Sequence, residues 1–251
     1  SRIAGRGHIG PALSILEIVQ VLYDRVMQVV APLSVQKWEI RDRFILSKGH
    51  GCLGLYVVLE SKGLLKGLDL SKFCSYDSEF GGHPESAYVP AIEFSTGSLG
   101  HGLPVAVGIA KAGVMKKQNW RVFVLVGDGE LNEGSNWEAA AHASKHKLNN
   151  LVVIVDYNNM QASGKAKEIL DMEPLKEKWE SFGFETFEVN GHDCVALENV
   201  LKRKSEGRPA CVIAYTVKGK GIKLAENSSN WHHKAKISNN EIKTLKADLH
   251  S

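Results

Sequence analysis

Apolar residues in this chain follow two rhythms. Between Val122 and Thr216, short continuous apolar runs, VFVLV at 122–126 and LVVIV at 151–155, alternate with stretches of helical spacing. Continuous runs of this length suit strands buried on both faces, and their alternation with helices implies right-handed crossovers and a mostly parallel sheet. The expected order is strand 122–126, helix 136–146, strand 151–156, strand 185–189, helix 195–204 and strand 211–216, with Asp193 placed to cap the second helix. Upstream, the spacing from Ile15 to Val29 fits a helix that Ser14 and Glu17 would open as a capping box. RFIL (43–46) reads as a strand running into KGHG (48–51), with helical spacing at 53–65 and again at 103–117. Residues 66–96 read as irregular. The expected fold is therefore α/β, a doubly wound, mostly parallel sheet flanked by helices, over residues 1–220. Residues 221–251 are expected to form a tail, with a short helix from Asn239, packed on the same domain.

Composition narrows the function classes. Apolar residues make up 43% of the 251 and charged residues 24%, so a sizeable core is expected and bulk disorder is not. Net charge is +3 with no block of Lys or Arg, which argues for neither a nucleic-acid nor an anionic-membrane surface. Cys52, Cys74, Cys194 and Cys211 are scattered and form no CxxC pair, so they read as buried thiols of a reducing compartment. No apolar run approaches the roughly 18 residues that span a bilayer, and no signal-peptide order opens the chain. The chain begins at Ser1 without Met, which leaves a removed leader open. The default expectation is a cytoplasmic protein acting on small molecules.

The most informative chemistry lies at two strand ends. Gly127-Asp128-Gly129 follows one buried strand, and Asp156-Tyr157-Asn158-Asn159-Met160 follows the next. In open parallel sheets ligands bind beyond the carboxyl ends of strands, so neighbouring strands can bring Asp128 and Asn158 together. A carboxylate and an amide oxygen suit a hard cation such as Mg²⁺, which keeps positions for water and phosphate oxygens. Gly127 and Gly129 let the backbone approach a diphosphate, and the following helix start favours its charge. The bland alternative is that both motifs are polar turns. The cation–diphosphate reading leads because two features point into one crevice.

With these motifs in place, the chain resembles the transketolases, most closely the amino-terminal, diphosphate-binding half that some organisms make as a separate subunit. The matching pieces are Gly7-His8, SKGHG (47–51), GGHPE (81–85), STGSLGHGL (95–103), GDGELNEG (127–134), DYNNMQASG (156–164), VNGHD (189–193), TVKGKG (216–221) and WHHK (231–234). They occur in family order and cover nearly the whole chain.

The resemblance implies a thiamine diphosphate enzyme that moves a two-carbon ketol unit from a ketose to an aldose. It implies Asp128, Asn158 and the carbonyl of Met160 as ligands of Mg²⁺, for which Ca²⁺ or Mn²⁺ can substitute. Gly129 becomes a diphosphate contact, and His50 and His232 lie beside the phosphate and thiazolium. Gly97 and Leu99 meet the aminopyrimidine through their backbone. His8 and His83 handle donor hydroxyls and protons near the reacting carbon, and Glu133 is a buried glutamate at a subunit interface. His8, His50 and His83 each adjoin Gly in an expected loop, where the backbone can bring a ligand close. His101, His142, His146, His192 and His250 read as structural or surface residues. Lys218 and Lys220 either reach a phosphate or are solvated.

Some residues depart from the family pattern. Ile9 stands where Pro is usual, Arg6 precedes Gly7 where a small residue is common, and His101 replaces a frequent Gln. His233 replaces Gly after His232, and Ala162 thins a wall often built by Ile. These changes bear on substrate shape and activity more than on cofactor binding.

Family members activate the cofactor with a glutamate from a pyrimidine-binding domain. Only about thirty residues follow the sheet domain, far short of the roughly 100 of a typical domain. Either a separate C-terminal subunit supplies it, expected in an α2β2 complex acting on sugars or sugar phosphates, or the chain is a fragment. Rival readings are the alpha chain of a 2-oxo acid dehydrogenase, a deoxyxylulose phosphate synthase, and a non-catalytic cofactor-binding or regulatory subunit. A nicotinamide-binding domain is the weakest rival, since no GxGxxG follows the first strand.

Overall fold

The computed structural model describes residues 7–29, 40–234 and 236–248; Arg6 and His250 lie outside them. Five strands, β1 (Arg43–Leu46), β2 (Val122–Gly127), β3 (Leu151–Tyr157), β4 (Glu185–Asn190) and β5 (Ala210–Tyr215), form one parallel sheet in the order β1-β2-β3-β5-β4. The helices are α1 (Ile9–Ser14), α2 (Leu16–Val21), α3 (Cys52–Ser61), α4 (Gly102–Met115) and α5 (Gly134–Lys145), then α6 (Ala166–Ile169), α7 (Leu175–Ser181), α8 (Cys194–Leu201) and α9 (Asn239–Asp248).

Side chains alternate across a strand, so each central strand feeds two cores. Phe123, Leu125, Val152 and Ile154 pack with α2, α3 and α8 on one face. Val122, Val124, Val126, Val153 and Val155 pack with α4, α5 and α7 on the other. This is the doubly wound α/β arrangement expected from the continuous runs. A third cluster joins Ile9 of α1 to Ile222, Ala225, Trp231 and Ile237 of the tail, with Ile242 and Leu245 of α9 against it. Among the described residues no helix is long and apolar enough to cross a membrane.

Four expectations need correction. Ser14 does not open a helix: it ends α1, and its buried hydroxyl donates to Asp156 Oδ1 at 2.7 Å. The chain becomes helical already at Ile9, with Pro11 in the first turn where a missing N–H costs nothing. Glu17 lies in the first turn of α2, but its carboxylate meets His192 (3.1 Å) and caps nothing, and the segment winds through α2 into a wide turn that ends at Val26. Second, β4 is not buried on both faces; it is half-exposed at one edge of the sheet, whereas β1 at the other edge is buried throughout. Third, residues 157–184, for which no element is expected, hold α6 and α7. Leu175 and Trp179 of α7, one helical turn apart, are fully buried, and that spacing was the available signal. Fourth, all four cysteines are free, but only Cys52 and Cys211 are buried; Cys74 and Cys194 are half-exposed. The Asp193 cap is present, its carboxylate accepting from the amides of Val195 and Ala196 at 3.0 Å each.

Candidate functional site

The register of β2 on β3 sets Gly127 opposite Asp156. Asp128 therefore leaves the sheet at the level where β3 turns out into Asn158, and the Asn159 amide donates to Asp128 Oδ2. A cavity of about 160 Å³ opens at these strand ends. Its walls include His50, Leu99, Gly127, Asp128, Gly129, Asn158, Met160 and His232. Pro11, Lys48, Glu130, Gln161, Ala162 and Lys218 complete it.

Asp156, fully buried, organises one side. Its Oδ1 accepts from Ser14 and Thr216, and its Oδ2 from Lys48 and from Asn158 Nδ2 at 2.9 Å. Asn158 Nδ2 also donates to Ser14 Oγ (3.1 Å), while its Oδ1 accepts from the Met160 amide (3.0 Å). Both amide hydrogens thus point into protein, and the oxygen is the atom left to receive a cation.

Glu130 organises the loops. Its carboxylate accepts from the Ser47 hydroxyl, the Gly100 amide (2.9 Å) and the Gly127 amide (3.0 Å). Three motif loops, SKGHG, STGSLGHGL and GDGELNEG, are joined through that one side chain.

Five imidazoles crowd the cavity mouth. His8 is the hub, with ring centroids 5.8 Å from His50, 5.8 Å from His83, 5.9 Å from His232 and 4.7 Å from His233. Burial, then His233, His83 and Lys218, lowers His8 to about 4. Burial and Lys218 lower His232 to about 3. Burial holds His50 well below its ordinary value and lowers His83. These four rings are neutral at neutral pH, able to accept a proton or a hydrogen bond.

The donor set fits a cation-held diphosphate. Burial, then the neighbouring Asp156, raises Asp128 to about 6, so a bound cation would relieve a costly charge. The carbonyl of Met160 already receives a cationic group, the Lys218 ammonium at 3.3 Å, which also meets Gln161 O and His232 Nδ1. Among the described residues no three His, Cys, Asp or Glu side chains are grouped to hold a metal. One carboxylate, one amide oxygen and one carbonyl suit a hard ion that keeps other positions for phosphate oxygens. Lys218 is buried and lowered to about 8 by burial and Lys48, whereas Lys220 is exposed and faces Glu226 at 3.9 Å.

The other expected residues lie further out. His83 and Gly97 share a shallower pocket beyond the mouth, with His101. A Cβ at Gly97 would stand 3.3 Å from the His83 ring, so glycine permits that approach. Glu133 starts α5 and is exposed in the chain by itself; it lines neither pocket. His192 is structural, accepting from the Val217 amide at 2.8 Å, and His142 on α5 and His146 just past its end are exposed. Lys48, Glu130 and Asp156 carry no expected role in the sequence, although each sits inside a recognised motif.

Fold and site together define the class: an open parallel α/β domain with a polar, cation-suited cavity at its strand ends. Residues 2–250 match the family model for the transketolase, thiamine diphosphate binding domain. One of the subunits of apulose-4-phosphate transketolase from Actinobacillus succinogenes is 44% identical over 229 residues, 91% of this chain and 82% of that protein. A 6-deoxy-6-sulfo-D-fructose transketolase subunit from Clostridium sp. is 36% identical, over 91% of this chain and 83% of its own length. Among solved structures, transketolase from Leishmania mexicana superposes with a TM-score of 0.88 at 28% identity, covering 99% of this chain and 39% of that one. The chain belongs to the transketolase thiamine diphosphate-binding family. It spans most of the length of the two bacterial relatives and about two fifths of the Leishmania enzyme.

Proposed function

We propose that this chain is the thiamine diphosphate-binding, N-terminal subunit of a two-chain transketolase, transferring a two-carbon ketol unit from a ketose to an aldose. The observation that carries the reading is the convergence of Asp128, Asn158 and the Met160 carbonyl on the same cavity as His50 and His232. Asp128 Oδ, Asn158 Oδ1 and Met160 O would hold Mg²⁺. The Gly129 backbone and the buried Lys218 would face the diphosphate, where positive charge offsets its negative charge. When bound, thiamine diphosphate supplies the nucleophilic carbon on which the ketol unit is carried. His8 and His83, kept neutral by burial, are suited to accept a proton from a donor hydroxyl or to hold it by hydrogen bond. Gly97 and Leu99, on the loop at the outer wall, would border the aminopyrimidine.

The partner is a C-terminal subunit carrying the pyrimidine-binding domain, in an α2β2 assembly. Support comes from relatives named as subunits, one of them of an apulose-4-phosphate transketolase, and from the exposure of Leu99, Phe94 and Tyr88 beside the outer pocket. Glu133, exposed in the single chain, would be covered there. Sugars or sugar phosphates are the substrates, and four free thiols fit the cytoplasm.

Titration calorimetry tests the first half: thiamine diphosphate with Mg²⁺ should bind the wild-type chain, and the Asp128→Ala variant should bind at least 100-fold more weakly. Ketol transfer tests the second. The purified chain should be inactive until the pyrimidine-domain partner is added, and turnover by the chain alone would refute the two-chain reading.

A further inference from the structure

Of the five imidazoles at the mouth, His233 has no role so far. It is held in place nonetheless. On one side Trp231 is buried in the tail cluster, its carbonyl packed on Gly10, where a Cβ would come within 2.9 Å. On the other, Lys234 pairs with Gly7 in both directions, N–H to O at 3.0 and 3.1 Å. The Lys234 ammonium lies 4.8 Å from the Trp231 ring centroid and 2.7 Å from Glu241. Between these anchors the His233 ring is exposed, and among the described residues it makes no hydrogen bond. The pairing of Gly7 with Lys234 brings the adjoining His8 and His233 rings within 4.7 Å.

The rings form two tiers around His8. His50 and His232, 5.1 Å apart, line the cavity, whereas His83 and His233 stand outside it. On the ketol-transfer reading, a sugar whose reacting carbon met the cofactor at the mouth would extend past His8 toward the outer tier. We infer that His233 is a substrate-specificity residue, hydrogen-bonding a hydroxyl of the donor ketose beyond the transferred two-carbon unit. This rests on the ketol-transfer reading and deepens it. An imidazole offers one donor and one acceptor, which matches a sugar hydroxyl. Its anchored backbone means that little backbone ordering is needed on contact.

The test uses the chain assembled with its partner, with Mg²⁺ and thiamine diphosphate. Donors are xylulose 5-phosphate, fructose 6-phosphate and apulose 4-phosphate, and hydroxypyruvate, which delivers the same two-carbon unit with loss of CO₂ and has no outer hydroxyl. For the ketose that the wild type uses best, His233→Gly should raise KM about five-fold, the effect of one net hydrogen bond. KM for hydroxypyruvate and the calorimetric affinity for thiamine diphosphate should stay within two-fold. His233→Gln, which keeps a donor and an acceptor, should recover most of the ketose KM. An unchanged ketose KM in His233→Gly, or an equal loss with hydroxypyruvate, overturns the assignment. Absence of ketol transfer by the wild-type assembly from any of these donors would instead remove the functional reading, and this assignment with it.

Discussion

The two walls of the cavity are built in different ways. The wall carrying Asp128 and Asn158 is an extension of the sheet: its heights are set by strand register, Asn158 is locked by the buried Asp156, and Asp128 is held by the amides of Gly129 and Asn159. The wall carrying His232, with His233 just outside the cavity, belongs to a tail that packs on α1 through a small separate cluster. One wall cannot move without disturbing the main core, whereas the other can change and leave that core intact. On the proposed reading, the cation's ligands Asp128 and Asn158 lie in the sheet wall, and the proposed sugar contact His233 lies on the tail. A fold arranged this way can keep one coenzyme while its substrates diverge.

The largest effect should come from breaking the rigid wall at its centre. Asp156→Ala leaves the Lys48 ammonium buried without its carboxylate, a class of change that costs about 3–5 kcal/mol. Thermal unfolding should fall by roughly 10 °C, given about 2–4 °C per kcal/mol for a chain of this size. The double variant Asp156→Asn with Lys48→Met, which buries no lone charge, should unfold above Asp156→Ala. Equal midpoints for all three proteins would show that the wall does not depend on this pair.

Trp231→Ala attacks the other wall. It removes the largest side chain of the tail cluster, a loss of roughly 3 kcal/mol for a buried aromatic. Because that cluster is separate, the loss should appear as local opening. Hydrogen exchange should quicken for amides at 219–234 while β2 and β3 keep their protection, and global unfolding should shift less than in Asp156→Ala. If the strands lost protection in step with the tail, the two walls would be one cooperative unit.

The same contrast explains what could be read in advance. The sheet wall was legible because continuous apolar runs followed by GDG and DYNN encode both strand and exit loop locally. Its supporting residues were not: Ser14 satisfies a capping pattern with Glu17, yet its partner is Asp156, 142 positions away. Lys48 and Glu130 likewise look like ordinary loop polars until their distant partners are seen. Lys218 and Lys220 flank one glycine and are indistinguishable in sequence, but only Lys218 is buried. The two edge strands differ, β1 buried throughout and β4 half-exposed, so what covers each edge is decided by the packing of distant segments and not by local pattern. Glu133 is exposed in the single chain, and only the proposed partner would give it a role.

That pair of lysines supplies the smallest and sharpest test. Lys220 is exposed, and its 3.9 Å pair with Glu226 is of a kind worth about 0–1 kcal/mol. Lys220→Ala should leave the unfolding midpoint unchanged and the dissociation constant for thiamine diphosphate with Mg²⁺ within two-fold of wild type. Lys218→Met, which removes the cation touching the Met160 carbonyl, should weaken that binding about ten-fold. If Lys220→Ala were the variant that lost affinity, the Gly219 loop would have to swing its outer lysine inward on binding. The adjustable part of the molecule would then reach the anchor itself, and the division between the two walls would fail.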